Sequence, residues 1–348
     1  MTLPASGAIT MAQINTELGY ASNANITLNT AAVRALAEVP SGAISLSNFY
    51  GKTNSFALFA CGLLTSSSYT ATSNKYFYLT QTNSAGTSLS LARSLPISFG
   101  NATQGIILGG ATNSYTIVSN TDKYTYSSDS CTTVSCWFTK AGGAAGSNSS
   151  RGIIASGANY GNYWYPVNTI YYFEHSSSSF GYNNNVVYAV LVPACASTST
   201  YVWQFAGYNG AETLRVTQRV QISNWTYYSG GFLTYWRWEH ACTNNTTLAV
   251  IAAGDTTGSS TYTAYYEKYT FSSESSNGGG ASLGLARVLL GGAGNNTISA
   301  FVGGLSNPST LTNYVDVYTY SSDTRVAGTA LTSNRQAMGS LSSVPGGL

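Results

Sequence analysis

Apolar residues fall in short blocks that close on glycine, and the chain writes such a block six times: Phe56 to Gly62, Gly105 to Gly110, Gly152 to Gly157, Val202 to Gly207, Ala249 to Gly254 and Ser299 to Gly304. The closing glycines are 48, 47, 50, 47 and 50 residues apart. Blocks this short suit buried strands rather than helices, and a fixed period near 50 in an all-β pattern predicts propeller blades.

Two further landmarks keep register with the glycines. Tyr76, Tyr124, Tyr171, Val220, Tyr269 and Tyr318 follow 13 to 15 residues later, within the alternating pattern of a half-buried strand. A basic residue then follows in five of six units, Arg93, Lys140, Arg237, Arg287 and Arg335, with Tyr188 standing at that place in the third unit. Residues 55–348 number 294, six times 49. The pattern predicts a mainly β chain: a six-bladed propeller over 54–348 and a separate segment over 1–53.

Strand phase predicts how the ring closes. If the basic residue opens each innermost strand, the last one, Gln336 to Ser343, has no later unit to join, and the strand from Phe56 lacks an inner neighbour. The C-terminal strand is therefore expected to complete the first blade and remove two exposed edges. Antiparallel alternation puts the connections after the glycine strands on one face and the N-terminal segment on the other. Those far-face connections are expected at 63–74, 111–122, 158–168, 208–217, 255–267 and 305–314.

Residues 1–53 follow a helical pattern. Thr10 and Ser45 stand where N-caps would open short helices over Met11 to Leu18 and Leu46 to Tyr50, and a third is expected from Asn29 or Thr30 to Glu38, stopped by Pro40. A segment this small has little core of its own, so it is expected to dock on something.

The wording of that segment resembles a known module. Leu3-Pro4-Ala5-Ser6-Gly7-Ala8-Ile9, Ile14-Asn15-Thr16-Glu17-Leu18-Gly19, Ala31-Ala32-Val33-Arg34-Ala35-Leu36-Ala37 and Pro40 to Lys52 are similar to a short module near the ends of tailed-bacteriophage virion proteins. The resemblance implies a tail-fibre, neck or decoration component that contacts other virion proteins through 1–53, in many copies per particle assembled in the host cytoplasm. Ile9, Ile14, Leu18, Leu36, Ile44, Phe49 and Tyr50 are the attachment residues it suggests. The repeat itself, glycine strand, Tyr-centred strand, a strand with Trp137 and then a basic residue, resembles the kelch repeat. The double glycine of that repeat is complete only at 109–110 and 303–304, and units three and four depart most.

Composition narrows the function classes. Charged residues make up 7% and aromatics 13%, with 27 Tyr, and the net charge is +2 from 14 basic and 12 acidic residues. No basic stripe supports nucleic-acid binding, and no apolar run or leader predicts membrane insertion or export. Five scattered cysteines do not make a disulfide framework, and a Cys131–Cys136 pair is disfavoured; the chain reads as made in a reducing cytoplasm.

Catalytic signals are thin. Two histidines and dispersed carboxylates give no metal-ligand spacing and imply no cofactor. Glu174 and Glu239 would serve a glycan-cleaving enzyme only if they converged across the ring. The repeated basic residues are expected to brace blades by bonding carbonyls. Asn101, Asn245 and Asn296, each starting a short Thr-containing stretch, are expected in tight turns.

The far-face connections are rich in Tyr, Asn, Ser and Thr, which stack and hydrogen-bond at low ordering cost. Tyr160, Tyr163, Trp164, Tyr165, Tyr208 and Asn209 are the candidate ligand residues, with host-surface glycan as the expected ligand. The sequence thus points to a non-enzymatic virion protein that binds glycans or neighbouring subunits. A passive decoration protein of the same fold is the alternative, and a glycan-cleaving tail enzyme the second.

Overall fold

A computed structural model of the chain describes residues 3–65, 67–112, 116–159, 165–186, 188–257, 260–278, 282–307 and 310–344. The described residues form six four-stranded antiparallel sheets, the blades of a propeller, and a small hairpin. The innermost strands are Ile97–Gly100, Ala144–Ser147, Ala194–Ser197, Ala241–Asn244, Gly291–Gly294 and Gly339–Ser342. The last belongs to blade 1, where Leu58 lies opposite Leu341 and Phe59 opposite Ser340. The ring is closed by the C-terminal strand, as the strand phase requires.

The six glycine-ended blocks are the second strands: Phe56–Ala60, Gln104–Leu108, Arg151–Ala155, Tyr201–Tyr208, Leu248–Ala252 and Ile298–Val302. Their sequence ends where the backbone turns left-handed. Gly62, Gly110, Gly157, Gly207, Gly254 and Gly304 all have φ between 84° and 111°. A Cβ on Gly62 would sit 2.5 Å from the Gln336 carbonyl oxygen, and one on Gly304 would sit 2.7 Å from that of Val288. Only glycine combines that φ with the backbone leading into the blade's own inner strand so close.

The core is a set of interblade layers. Phe56, Leu58 and Leu341 of blade 1 pack on Ile107 and Tyr124 of blade 2, and Val250 and Ala252 of blade 5 pack on Phe301 and Tyr318 of blade 6. The Tyr landmarks are the large residues of these layers, and Tyr76, Tyr124, Tyr269 and Tyr318 have no exposed surface. In blade 3 the landmark is displaced. Phe173, opposite Gly152, occupies the place that Tyr124, opposite Gly105, holds in blade 2, whereas Tyr171 lies opposite Ile154. The far-face connection of blade 3 is longer than the others, which shifts Tyr171 two positions and Tyr188 with it. Val190, not Tyr188, stands where the other units carry a basic residue, four residues before the inner strand.

Blade 4 also departs from expectation. Its second strand, Tyr201–Tyr208, and third strand, Thr213–Gln221, form one long hairpin, so 208–217 is not a loop. Trp137 lies beyond the outer strand Ser130–Val134 and is 64% exposed. Cys131 and Cys136 are free thiols. At the tight turns, Asn101, Asn148, Asn245 and Asn295 accept backbone N–H groups on their side-chain oxygens. In blade 6 that residue is Asn295 rather than Asn296.

The N-terminal segment contains α1 (Met11–Glu17), α2 (Ala31–Ala37) and a 3-10 turn, Leu46–Phe49. Thr10 and Ser45 do cap, each in a reciprocal box, with Gln13 and Asn48. Ile9, Ile14, Leu18, Leu36 and Phe49 are buried in the segment's own core, with Ile44 packed against it. These side chains hold the segment together and are not free to grip another subunit. Tyr50 is 41% exposed, its hydroxyl donating to the Gly7 carbonyl. The segment docks on blade 1: Leu79 packs on its core and Glu17 accepts the Asn54 backbone N–H at 2.7 Å.

Candidate functional site

The far face is built by two sixfold features, with arginine braces added at four of the joints. Each closing glycine donates its N–H to the carbonyl of the residue four before the next inner strand: Gly62 to Arg93, Gly110 to Lys140, Gly157 to Val190, Gly207 to Arg237, Gly254 to Arg287 and Gly304 to Arg335. The arginine side chains then reach into the next blade and are fully buried. Arg93 bonds the Ile107 carbonyl and Asp122 at 2.6 Å, Arg287 the Phe301 carbonyl and Asp316 at 2.6 Å, and Arg237 meets Glu267 at 3.0 Å. These are the expected braces, completed by carboxylates that sequence reasoning missed. The signal was present, because Asp122, Glu267 and Asp316 each stand two residues before a landmark Tyr.

Two residues beyond each brace lies the channel mouth. Leu95, Gly142, Val192, Glu239, Leu289 and Ala337 all have φ between 45° and 55°. Each donates its N–H to the carbonyl of its counterpart in the preceding blade, at 2.7 to 3.2 Å, so the six close a cyclic belt of backbone hydrogen bonds. Left-handed φ is costly for Val and Leu, and the belt holds them there. The mouth is a recess of about 130 Å³ lined by small and apolar residues with Glu239 and His240. Burial, and then Asp255, push the Glu239 carboxyl up to about 8; burial, and then Arg237, hold His240 well below its ordinary value.

On the same face, blades 4 and 5 present rings to solvent. Phe232, Trp236 and Tyr265 are 61%, 45% and 54% exposed. Tyr235 stacks on Tyr265 with centroids 6.0 Å apart, and Tyr208 lies 5.2 Å from Trp238. The Arg215 guanidinium sits 5.4 Å from both the Phe232 and the Trp236 ring centres. Such a surface offers stacking faces and polar tips side by side, a combination suited to a sugar.

Of the ligand residues expected from sequence, Tyr165 is 69% exposed, and Tyr160, Tyr163 and Trp164 lie outside the described residues. Tyr208 joins the blade 4 cluster, but its hydroxyl donates to the Gly210 carbonyl. The Asn209 side chain is spent on the turn, accepting from Ala211 and Glu212 N–H groups. Trp236 and Phe232 were missed because they sit in an interblade connection and at a strand end rather than in the long loops, whereas Tyr265 lies within the expected connection 255–267 but was not singled out there. Glu174 and Glu239 do not converge: Glu174 pairs with Arg151 at the end where the N-terminal segment attaches, and Glu239 opens toward the far face. Among the described residues no cluster of three His, Cys, Asp or Glu could hold a metal.

No family model and no curated protein matches the chain. Solved structures do: 377 chains match, so the arrangement is common and says little about ligand. One is the structure of YjhT, with 11% identity, a TM-score of 0.64, and coverage of 79% of this chain and 98% of that one. At that identity the likeness supports the propeller fold alone.

Proposed function

We propose that this chain is a virion component of a tailed bacteriophage, held by its N-terminal segment and presenting the far face of its propeller to glycans on the host surface. The observation that carries the reading is geometric. The segment docks at one end of the strands, on Leu79 and Asn54, while Phe232, Trp236 and Tyr265 are exposed at the other end. Anchor and rings therefore point in opposite directions, as a displayed binding surface requires. The phage assignment is supported by the wording of residues 3–52, and many copies on one particle would strengthen individually weak contacts.

The test displays the full chain on beads and measures capture of bacterial cells from a panel of candidate hosts, beside a Trp236→Ala/Tyr265→Ala variant. Both side chains are solvent-facing, so the variant is expected to keep the parent's melting curve. Capture by the parent and not the variant is the expected result. Equal capture would remove the far face as the binding surface, and capture by neither would favour a passive decoration protein.

A further inference from the structure

We infer that the far-face ligand is an acidic polysaccharide whose carboxylates are bound by Arg215; this rests on the glycan reading above. The protein's other arginines set the pattern. Six arginines lie against aromatic rings: Arg151, Arg215, Arg219, Arg237, Arg287 and Arg325. Five of them close on a carboxylate, Arg151 on Glu174, Arg219 on Glu274, Arg237 on Glu267, and Arg287 and Arg325 on Asp316. Among the described residues Arg215 alone lacks one.

Arg219, four residues along the same strand, is the internal template. Its guanidinium lies 4.7, 4.9 and 5.0 Å from the Tyr201, Trp203 and Tyr228 ring centres, and its ion pair with Glu274 completes the arrangement. Arg215 has the same kind of surroundings, rings 5.4 Å away on Phe232 and Trp236, and is exposed. The nearest acid in sequence, Glu212, makes no ion pair with it. Among the described residues Lys123 is the other cation with neither a hydrogen bond nor an ion pair, and it is half-buried with no ring beside it.

Rings against a guanidinium strip water from its faces and leave the planar N–H edge to be satisfied in plane, the geometry that a carboxylate fits with two parallel hydrogen bonds. The exposed faces of Phe232 and Trp236 beside it, with Tyr265 exposed on the same side of the propeller, suit the apolar faces of sugar rings. A polymer carrying a carboxylate on each or every second residue would meet both requirements along its length.

The test uses the full chain on beads against immobilised polygalacturonate, alginate and hyaluronate, each beside its carboxyl-reduced counterpart. The variants are Arg215→Gln, Arg215→Lys and, as a charge-matched control, Lys123→Gln, with near-ultraviolet circular dichroism to confirm folding. Expected is salt-sensitive binding to at least one polyuronate, weakened about tenfold or more by carboxyl reduction and by Arg215→Gln. Arg215→Lys should restore part of it, since a point charge lacks the fork, and Lys123→Gln should change nothing. Equal binding to a polyuronate and its reduced form, or indifference to Arg215→Gln, overturns the acidic class while leaving glycan binding intact. Binding to none of the polymers also overturns it, and the cell-capture assay then decides separately whether the far face binds glycan.

Discussion

The joint into blade 6 and the joint into blade 4 do the same mechanical task with opposite chemistry. At blade 6, Arg287 is buried against Asp316, which also receives Arg325. At blade 4, Val190 takes the arginine's place and Gln218 that of the carboxylate. Gln218 donates to the Tyr188 carbonyl at 3.0 Å and accepts the Tyr188 N–H at 3.2 Å. Blade 3 lies between these extremes: Lys140 faces Tyr171 instead of an acid, 4.9 Å from its ring centre, and donates to the Thr169 hydroxyl. Burial lowers the Lys140 amine to about 7, so this cation can shed its proton, which an arginine cannot. What the joints share is the backbone bond from glycine to the residue before the inner strand. Charge is therefore an elaboration of the joint, paired with a carboxylate at blades 2, 5 and 6 and met by carbonyl and hydroxyl oxygens alone at blade 1, where Arg335 stands.

The comparison can be broken at several strengths. The largest effect is expected on removing residues 335–348, which takes away the inner strand of blade 1 and the Arg335 brace together; cooperative thermal unfolding should be lost. Next, Asp316→Ala strands two arginines, one fully buried, and should cost about 3–5 kcal/mol in urea unfolding. Gln218→Ala at the neutral joint leaves only backbone groups unsatisfied and should cost about 1–3 kcal/mol. If the two substitutions cost the same, the distinction between charged and neutral joints fails. Replacing both members of one pair, Arg93→Met with Asp122→Leu, should come out near neutral, because the desolvation of two ions is removed along with their attraction.

The smallest effects are on pH dependence. Glu239, raised to about 8, binds a proton more tightly in the folded chain, so its contribution is present below the ordinary Glu range and is lost as pH rises through 8. His175, lowered to about 4 by burial, works oppositely: its contribution is present above the ordinary His value and is lost as pH falls through 4. Because the lowered histidines and Lys140 act alike in both chains, the readout is the difference: the parent's melting temperature should fall relative to that of Glu239→Gln as pH rises from 5 to 8. The slope is shallow because part of the Glu239 side chain reaches water.

Much of the ring was legible because three residue types recur at positions with no substitute: glycine where φ is positive and a carbonyl is close, a ring between blades, and a cation at the joint. Legibility failed where a loop changed length. The longer connection of blade 3 moved Tyr171 and Tyr188 two places from their counterparts, and Phe173 and Val190, the true equivalents, carry no conspicuous chemistry. Blade 4 was misread because Tyr208 and Asn209 look like loop residues, whereas Asn209 builds a turn tight enough for the strands to continue to it. At the candidate site, Trp236 and Tyr265 were passed over because nothing in an aromatic residue's own letter says which side of a joint it will face. Arg215 needed the structure altogether, since its interest lies in a carboxylate partner that it does not have.

The cyclic belt at the channel mouth is made of peptide groups alone. Its six members are Leu, Gly, Val, Glu, Leu and Ala, and none of the six links depends on which side chain is attached. The frame and the lining of the pore are thus separable heritable traits. The mouth can carry an acid at one blade, as at Glu239, and aliphatic groups at others, on the same backbone geometry that keeps the ring round.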